Sequence, residues 1–421
     1  MSMSVFCSAA LIALSHSALF PVAQAPEAVD TLVSRALIAN PAILAARQKV
    51  SEAESRLAEM QGHRKLQLSL SGTGSGSSGQ VAQPTSSQSF ASVEASLTAP
   101  LPNFARAGAE VEQAAANVDV AKTQYRRTLL DVEFRTTSAA FELKRAQDAE
   151  DIAQQNLDQA MRLEADTKSR IDQGDLPPAD LLKAQVPVAQ SRAAFARAKS
   201  ELKIARQNLN DLLQRDLNAS LTISTGGAMI DPQLQTAEAI TEALRQGPDV
   251  VEAMATVRAA EANERIVRRG RDPDVSLQLS HVRTGDPTAY GYLSTLGVTI
   301  TLPLADGGSN RELVHQARLQ TDQARTALLL ARQRTRLAVE QAVLNVESDE
   351  ANVEATAQTA SIARESLTKS RQSFAAGLTL TRDVLDAQLV LSQSLIEANS
   401  ARYDLAIAQA RLRQLLGALP K

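Results

Sequence analysis

Tryptophan is missing from this 421-residue chain, and aromatic residues of all kinds make up only 3% of it. A compact core built on large rings is thereby excluded. Ala, Leu, Gln and Arg are abundant instead, a composition suited to long helices packed side by side through small residues. Cysteine is almost absent. The single one, Cys7, falls in an N-terminal segment expected to be removed, so no disulfide, reactive thiol or lipid anchor is expected in the mature chain. Charge bias is lacking too: 47 acidic side chains against 44 basic ones give a net charge of −3, with no bulk field to attract nucleic acid. Beyond the first 25 residues no apolar run approaches the ~18–20 residues of a membrane-spanning helix. His63, His281 and His315 are scattered without metal-ligand spacing, so neither a zinc site nor any other metal is expected.

The first 25 residues have no Asp, Glu, Lys or Arg, and an apolar run at 5–14 precedes Ala23-Gln24-Ala25, a small-x-small pattern. This reads as a secretory signal peptide. An exported chain without a transmembrane helix is periplasmic, secreted, or inserted in an outer membrane as a β-barrel.

What the chain does contain is a duplication. Residues 370–417, SRQSFAAGLTLTRDVLDAQLVLSQSLIEANSARYDLAIAQARLRQLLG, hold two runs of helical period separated by Gly377 and a short Leu-Thr-Leu-Thr link. That is an αα-hairpin turned by a glycine, the residue that takes φ > 0 at a helix end without penalty. Residues 169–213 are a near-copy: Gly174 matches Gly377, Asp180 matches Asp383 and Gln185 matches Gln388, at a constant offset of 203. A repeat of that length overrides any count of ordinary domains.

Within the first repeat (26–214) a helical stretch carries Leu32, Leu37, Ile43, Leu44, Val50 and Leu57, and Pro41 after Asn40 marks a new helix start. The period then changes. Leu66, Leu68 and Leu70 alternate with Gln67, Ser69 and Ser71, which predicts a strand over about 64–74; a Gly/Ser/Pro/Gln loop covers 73–88. Alternation resumes with Val93, Ala95, Leu97 and Ala99 against Glu94, Ser96 and Thr98, predicting a strand over 89–102. Helical spacing returns from about 104 to 173, roughly 105 Å of helix, and a second helix follows Pro177-Pro178. A link at 215–235 leads to the second repeat (236–421), with strands expected at 273–283 and 292–304, a turn at 283–292 and a long helix at about 310–375 before Gly377. The order is helix, two strands, long helix, glycine turn, helix, taken twice. Strands with one apolar and one polar face suit a lipid exterior and a wet interior. Four cannot close a barrel alone, whereas three copies supply twelve.

The duplicated plan, LPLADGG entering the second long helix, and FAAG…DVLDAQ…ARYDLAIAQARLRQLLG near the end resemble the TolC family of outer-membrane efflux proteins over nearly the whole mature chain. The resemblance implies an α+β membrane protein: a homotrimer whose four strands per protomer form a 12-stranded β-barrel in outer-membrane lipid, above an α-helical periplasmic tunnel. It implies two partners, a periplasmic adaptor and an inner-membrane pump (proton-driven or an ABC transporter), and no cofactor or catalytic residue. Small-molecule efflux is the generic role it suggests, with the exit duct of a type I protein secretion system as the alternative.

Asp383 and Asp386, three apart, share a helix face just past the turn. On residues alone they fit two readings: a helix cap with a solvated neighbour, or two stacked carboxylate rings in a trimer that attract cations and repel one another. The resemblance favours the second, at the periplasmic constriction. Asp180 is the first-repeat counterpart, while Lys183 replaces the second acid. Gly174 and Gly377 are expected at adaptor-facing tips, although simple turn glycines explain them almost as well. Tyr290, Tyr292 and Phe90 are candidates for a membrane-interface belt.

Two other signals carry little. Gly74-Ser75-Gly76-Ser77-Ser78-Gly79 matches a dinucleotide fingerprint, yet no helix pattern follows it. A periplasmic coiled-coil adaptor is a competing reading, but adaptors usually carry one hairpin, and here each of two hairpins follows a strand pair. An enzyme has no residue constellation to support it.

Overall fold

The computed structural model describes residues 27–77, 88–100, 107–174, 177–224, 236–286, 289–376, 378–379 and 381–418. The signal segment with Cys7, the tip glycine Gly377, Gly79 and most of the 215–235 link lie outside these residues.

In chain order the elements are β1 (Glu27–Ala28), α1 (Val29–Ala39), α2 (Pro41–Gly62), β2 (Gln67–Ser77), β3 (Gln88–Pro100), α3 (Ala107–Asp172), α4 (Ala179–Leu212), β4 (Ile223–Ser224), α5 (Thr236–Gln246), α6 (Pro248–Arg268), β5 (Asp274–Asp286), β6 (Ala289–Thr301), α7 (Ser309–Ala375) and α8 (Thr381–Leu416). A 3-10 turn, Arg269–Arg271, joins α6 to β5. The 66 residues of α3 and 67 of α7 make rods about 100 Å long.

Each repeat begins with a broken helix. In the first, Asn40 leaves helical geometry at φ −70°, ψ 124°, and its side chain accepts the Ala42 N–H at 2.9 Å with Pro41 in the first turn. The axis bends 47° there. In the second, Gly247 and Pro248 do the same. Both breaks dock on the end of their repeat's last helix. The Asn40 amide reaches the Leu212 carbonyl at 3.5 Å. At the matching place, backbone meets backbone: a Cβ on Gly417, which sits at φ +72°, would stand 2.3 Å from the Gln246 carbonyl oxygen. Two cores grow around these joints. Leu32, Ala36, Leu143, Leu209 and Leu213 pack in the first, and Ala243, Val339, Val343, Leu405 and Leu412 in the second.

The sheet runs β2-β3-β5-β6, antiparallel throughout. Register lines up Leu68, Leu97, Leu279 and Leu296 in one cross-strand row, and Ser69, Ser96, Ser280 and Thr295 in the next. One face is therefore apolar and the other polar along every strand. Several strand ends differ from the pattern reading: β2 begins at Gln67 and β6 stops at Thr301, short of the expected 64 and 304, while the ends toward the hairpin turns run longer. Residues 74–77 continue β2, opposite 88–91, because backbone pairing needs no side-chain alternation and Gly/Ser runs offer none to read. The turn expected at 283–292 contracts for the same reason, with β5 running to Asp286 and β6 starting at Ala289. Gly74 and Gly76 are thus spent in a sheet, not in a phosphate-binding loop.

Helices continue the same order. Below the sheet α2 packs on α3, α3 on α6 and α6 on α7. Farther down α3 lies between α4 and α8, and α8 packs on α7. Strand layer, upper helix layer and lower helix layer all end on a first-repeat element (β2, α2, α4) at one side and on β6 or α7 at the other.

One pair of short strands was invisible in the sequence. β1 pairs in parallel with β4, Glu27 opposite Ile223 and Ala28 opposite Ser224. Glu27 adds ion pairs to Arg35 at 3.0 Å and Arg215 at 3.9 Å. Two-residue strands carry no readable period, and these lie almost a full repeat apart.

Candidate functional site

The hairpin tips hold the carboxylates singled out above. Gly174 closes the first turn at φ +83°, its N–H donating to Ile171 O at 2.9 Å. At the second, the Leu378 N–H reaches back to Ser373 O at 2.9 Å, a bond that ties off the end of α7. Asp180 then sits in the first turn of α4, and Asp383 in the first turn of α8. Neither repeat presents bare carboxylates only. Lys183 Nζ lies 2.7 Å from Asp180 Oδ1, and Arg382 Nε lies 3.6 Å from Asp386 Oδ2 on an exposed surface. Such solvated pairs are worth about 0–1 kcal/mol, so they orient the side chains without fixing them. Leu182 and Leu378 stand exposed beside the turns.

Above the tips, side chains join the two hairpins across α3. Arg170 lies over the Phe374 ring, 4.5 Å from its centroid. Arg371 donates to Gln159 Oε1 at 2.9 Å, and Asn156 bonds Ser392. Higher still, the Tyr403 hydroxyl donates to Asp148 at 2.5 Å, Lys144 holds the same carboxylate at 2.7 Å, and Arg145 pairs with Asp404. Burial, then the bond to Asp148, pushes the Tyr403 hydroxyl above its usual range, so it stays a donor. Burial and the neighbouring Asp404 also raise the Asp349 carboxyl on α7. The sequence reading missed this zipper because its partners lie more than two hundred positions apart in part and share no motif.

At the other end of the molecule the sheet presents its two faces. The apolar one carries Leu68, Leu70, Leu279, Leu296, Val298 and Ile300, all exposed in the single chain. Tyr292 is 79% exposed and shares a row with Val93 and Arg283 on this face. Tyr290 holds the next row, opposite Gly285. Phe90 pairs with Ser75 at the far end of β3, in the register of Glu94 and Ser96. The polar face is knitted by hydroxyls, with Ser69 and Ser96 2.6 Å apart. Asp306, just past β6, caps α7 by accepting from Gly308 N at 3.1 Å and Asn310 N at 2.8 Å; those two bonds, with Arg271 beside it, hold its carboxyl below the usual range. This is what LPLADGG builds: a charged joint between strand and rod. Among the described residues no cluster of His, Cys, Asp and Glu forms a metal site.

Residues 32–214 and 239–418 match the family model described as outer membrane efflux protein. The chain belongs to the outer membrane efflux protein family. The family match covers both repeats and skips the link between them. Among curated relatives, outer membrane protein TolC of Vibrio cholerae is 24% identical over 309 residues, 71% of this chain and 70% of that one. The solved structure of VceC from Vibrio cholerae superposes with a TM-score of 0.79 at 16% identity, covering 92% of this chain and 96% of that one. CusC gives 0.80 at 21% identity, covering 93% and 92%. As a member of the efflux family the protein is a channel of the outer membrane with a helical tunnel in the periplasm, and not an enzyme.

Proposed function

We propose that three copies of this chain close into one conduit, a 12-stranded barrel continued by a helical tunnel, through which small toxic molecules leave the cell. One observation carries the reading: the strand layer and both helix layers end on the same two edges. A β6 edge meeting a neighbour's β2 edge would satisfy the open backbone groups that hydrocarbon does not tolerate. The same operation would bring each α7 against a neighbour's α2 and α4. Exposed apolar side chains support that contact: Leu330, Leu337 and Leu344 recur every seventh residue along α7, and Leu182, Val186 and Ile204 line α4. Head-to-tail contacts of this kind form a ring when the rotation closes.

The tips are the periplasmic entrance. Asp383 and Asp386 from three chains would form two carboxylate rings there, flanked by Asp180, and favour cations in the closed state. The turns at Gly174 and Gly377, with Leu182 and Leu378 exposed nearby, suit a periplasmic adaptor, which would couple the tunnel to an inner-membrane pump. The family's description as an efflux protein favours small molecules over secreted proteins as cargo.

Two measurements test this together. Native mass spectrometry of the detergent-extracted protein should give three chains per particle. A strain lacking the gene should accumulate a fluorescent dye that the wild-type gene clears. A monomer that needs no detergent would overturn the channel, and a trimer without any effect on small molecules would overturn the cargo.

A further inference from the structure

We propose that the outward face of the sheet carries a binding site for the phosphorylated headgroup of an outer-leaflet lipid, centred on Arg283 with Tyr292 beside it. Arg283 stands between Val93 and Tyr292 in one row, and His281 between Ala95 and Ser294 in the row below. Both rows belong to the apolar face. That face runs from Leu302 and Ile300 beside the helices up to Tyr292 near the free hairpin ends. From Tyr292 to Leu302 the strand covers about 34 Å, or about 26 Å along the membrane normal at a ~40° tilt. An outward apolar band is about 25 Å tall. Arg283 and Tyr292 therefore sit where acyl chains give way to headgroups on the external side.

The groups around Arg283 leave its charge for an outside partner. His281 is occupied within the sheet, its Nδ1 2.8 Å from Ser294 Oγ and its ring 5.9 Å from that of Tyr292. Arg283 is exposed and makes no ion pair among the described residues. The nearby acid on β3 does not share its face: Glu94, opposite Val282, falls in the alternate register, on the polar side. A guanidinium at the edge of hydrocarbon, with no internal counter-ion, is matched by a phosphate that it can grip with two N–H groups. Tyr292 supplies the amphipathic ring that lies along such a boundary. The membrane placement comes from the family; the phosphate site comes from this chain's own residues.

The test uses the assembled protein in phosphatidylcholine nanodiscs with and without bis-phosphorylated lipid A. The lipid should raise the melting temperature of wild type by roughly 4 °C, and native mass spectrometry should retain one lipid A per chain. Arg283→Ala should lose the shift and retain at least about tenfold less lipid. Arg283→Lys, which keeps the charge but not the two-point grip, should fall between. Lipid A stripped of its phosphates, or inorganic phosphate added to plain phosphatidylcholine discs, should produce no shift. An equal shift in Arg283→Ala, or from either control, would overturn the site while leaving the barrel intact. Failure of wild type to enter the discs would overturn both.

Discussion

Glu133 is a buried acid of the helical wall, 6% exposed on α3 with one carboxylate oxygen lacking any partner among the described residues. Burial pushes its pKa up to about 7, Arg413 at 3.9 Å pulls the other way, and Asp30 adds to the rise. A carboxyl whose folded pKa exceeds its unfolded value near 4.5 binds its proton more tightly when folded. The penalty for charging it is thus absent below about pH 4.5, grows between there and about 7, and is complete above. Melting temperature should fall over that window, and Glu133→Gln should flatten the slope and stabilise the protein at pH 8 by about 2 kcal/mol. An unchanged pH profile in that variant would refute the assignment. Gly417 is the second sensitive residue. Its positive φ and the 2.3 Å gap a Cβ would leave to the Gln246 carbonyl cannot both be relieved by side-chain movement. Gly417→Ala should cost roughly 2–4 kcal/mol, read as a lowered melting temperature; Gly174→Ala, with nothing within 4 Å of its added Cβ, should cost only the φ strain, about 1 kcal/mol.

At the scale of elements, the strands and rods were legible because their periods are pure. Alternation at 66–70 and 93–99 located two strands, and helical spacing located rods of 66 and 67 residues to within a few positions. Where a side chain gives no contrast, as at Gly74–Ser77, the strand end was not readable. The shared face of Asp383 and Asp386 could be read from spacing, but the cation beside each tip's carboxylates required coordinates, since Arg382 next to Asp386 and Lys183 next to Asp180 look like ordinary surface charge. The zipper between hairpins was hidden altogether. Its contribution is open to a direct check. Tyr403→Phe removes the donor to Asp148 and leaves a partly buried carboxylate with Lys144 alone, a loss of about 1–2 kcal/mol. Arg170→Ala and Asn156→Ala remove contacts nearer the tips. Each should loosen the hairpins and raise basal channel conductance in a bilayer; variants that conduct as wild type does would show that these bonds only stabilise the fold.

At the scale of the whole molecule, the matching edges of sheet and rods make assembly the central requirement. Aspartate placed at Leu337 and Leu344 should prevent the ring from closing, because two charges per chain would be buried at each proposed contact; sedimentation in detergent should then show single chains. Aspartates that leave the trimer intact would mean that α7 does not face its neighbour. The proposed carboxylate entrance belongs to this scale too, since three chains are needed to make a ring. The most direct test of the account is single-channel conductance in a planar bilayer, wild type against Asp383→Ala/Asp386→Ala. A small, cation-selective conductance in wild type that rises roughly two- to tenfold and loses selectivity in the double variant is the expected result. No channel from folded, detergent-extracted protein would contradict the conduit itself, and identical channels from both proteins would contradict the carboxylate entrance.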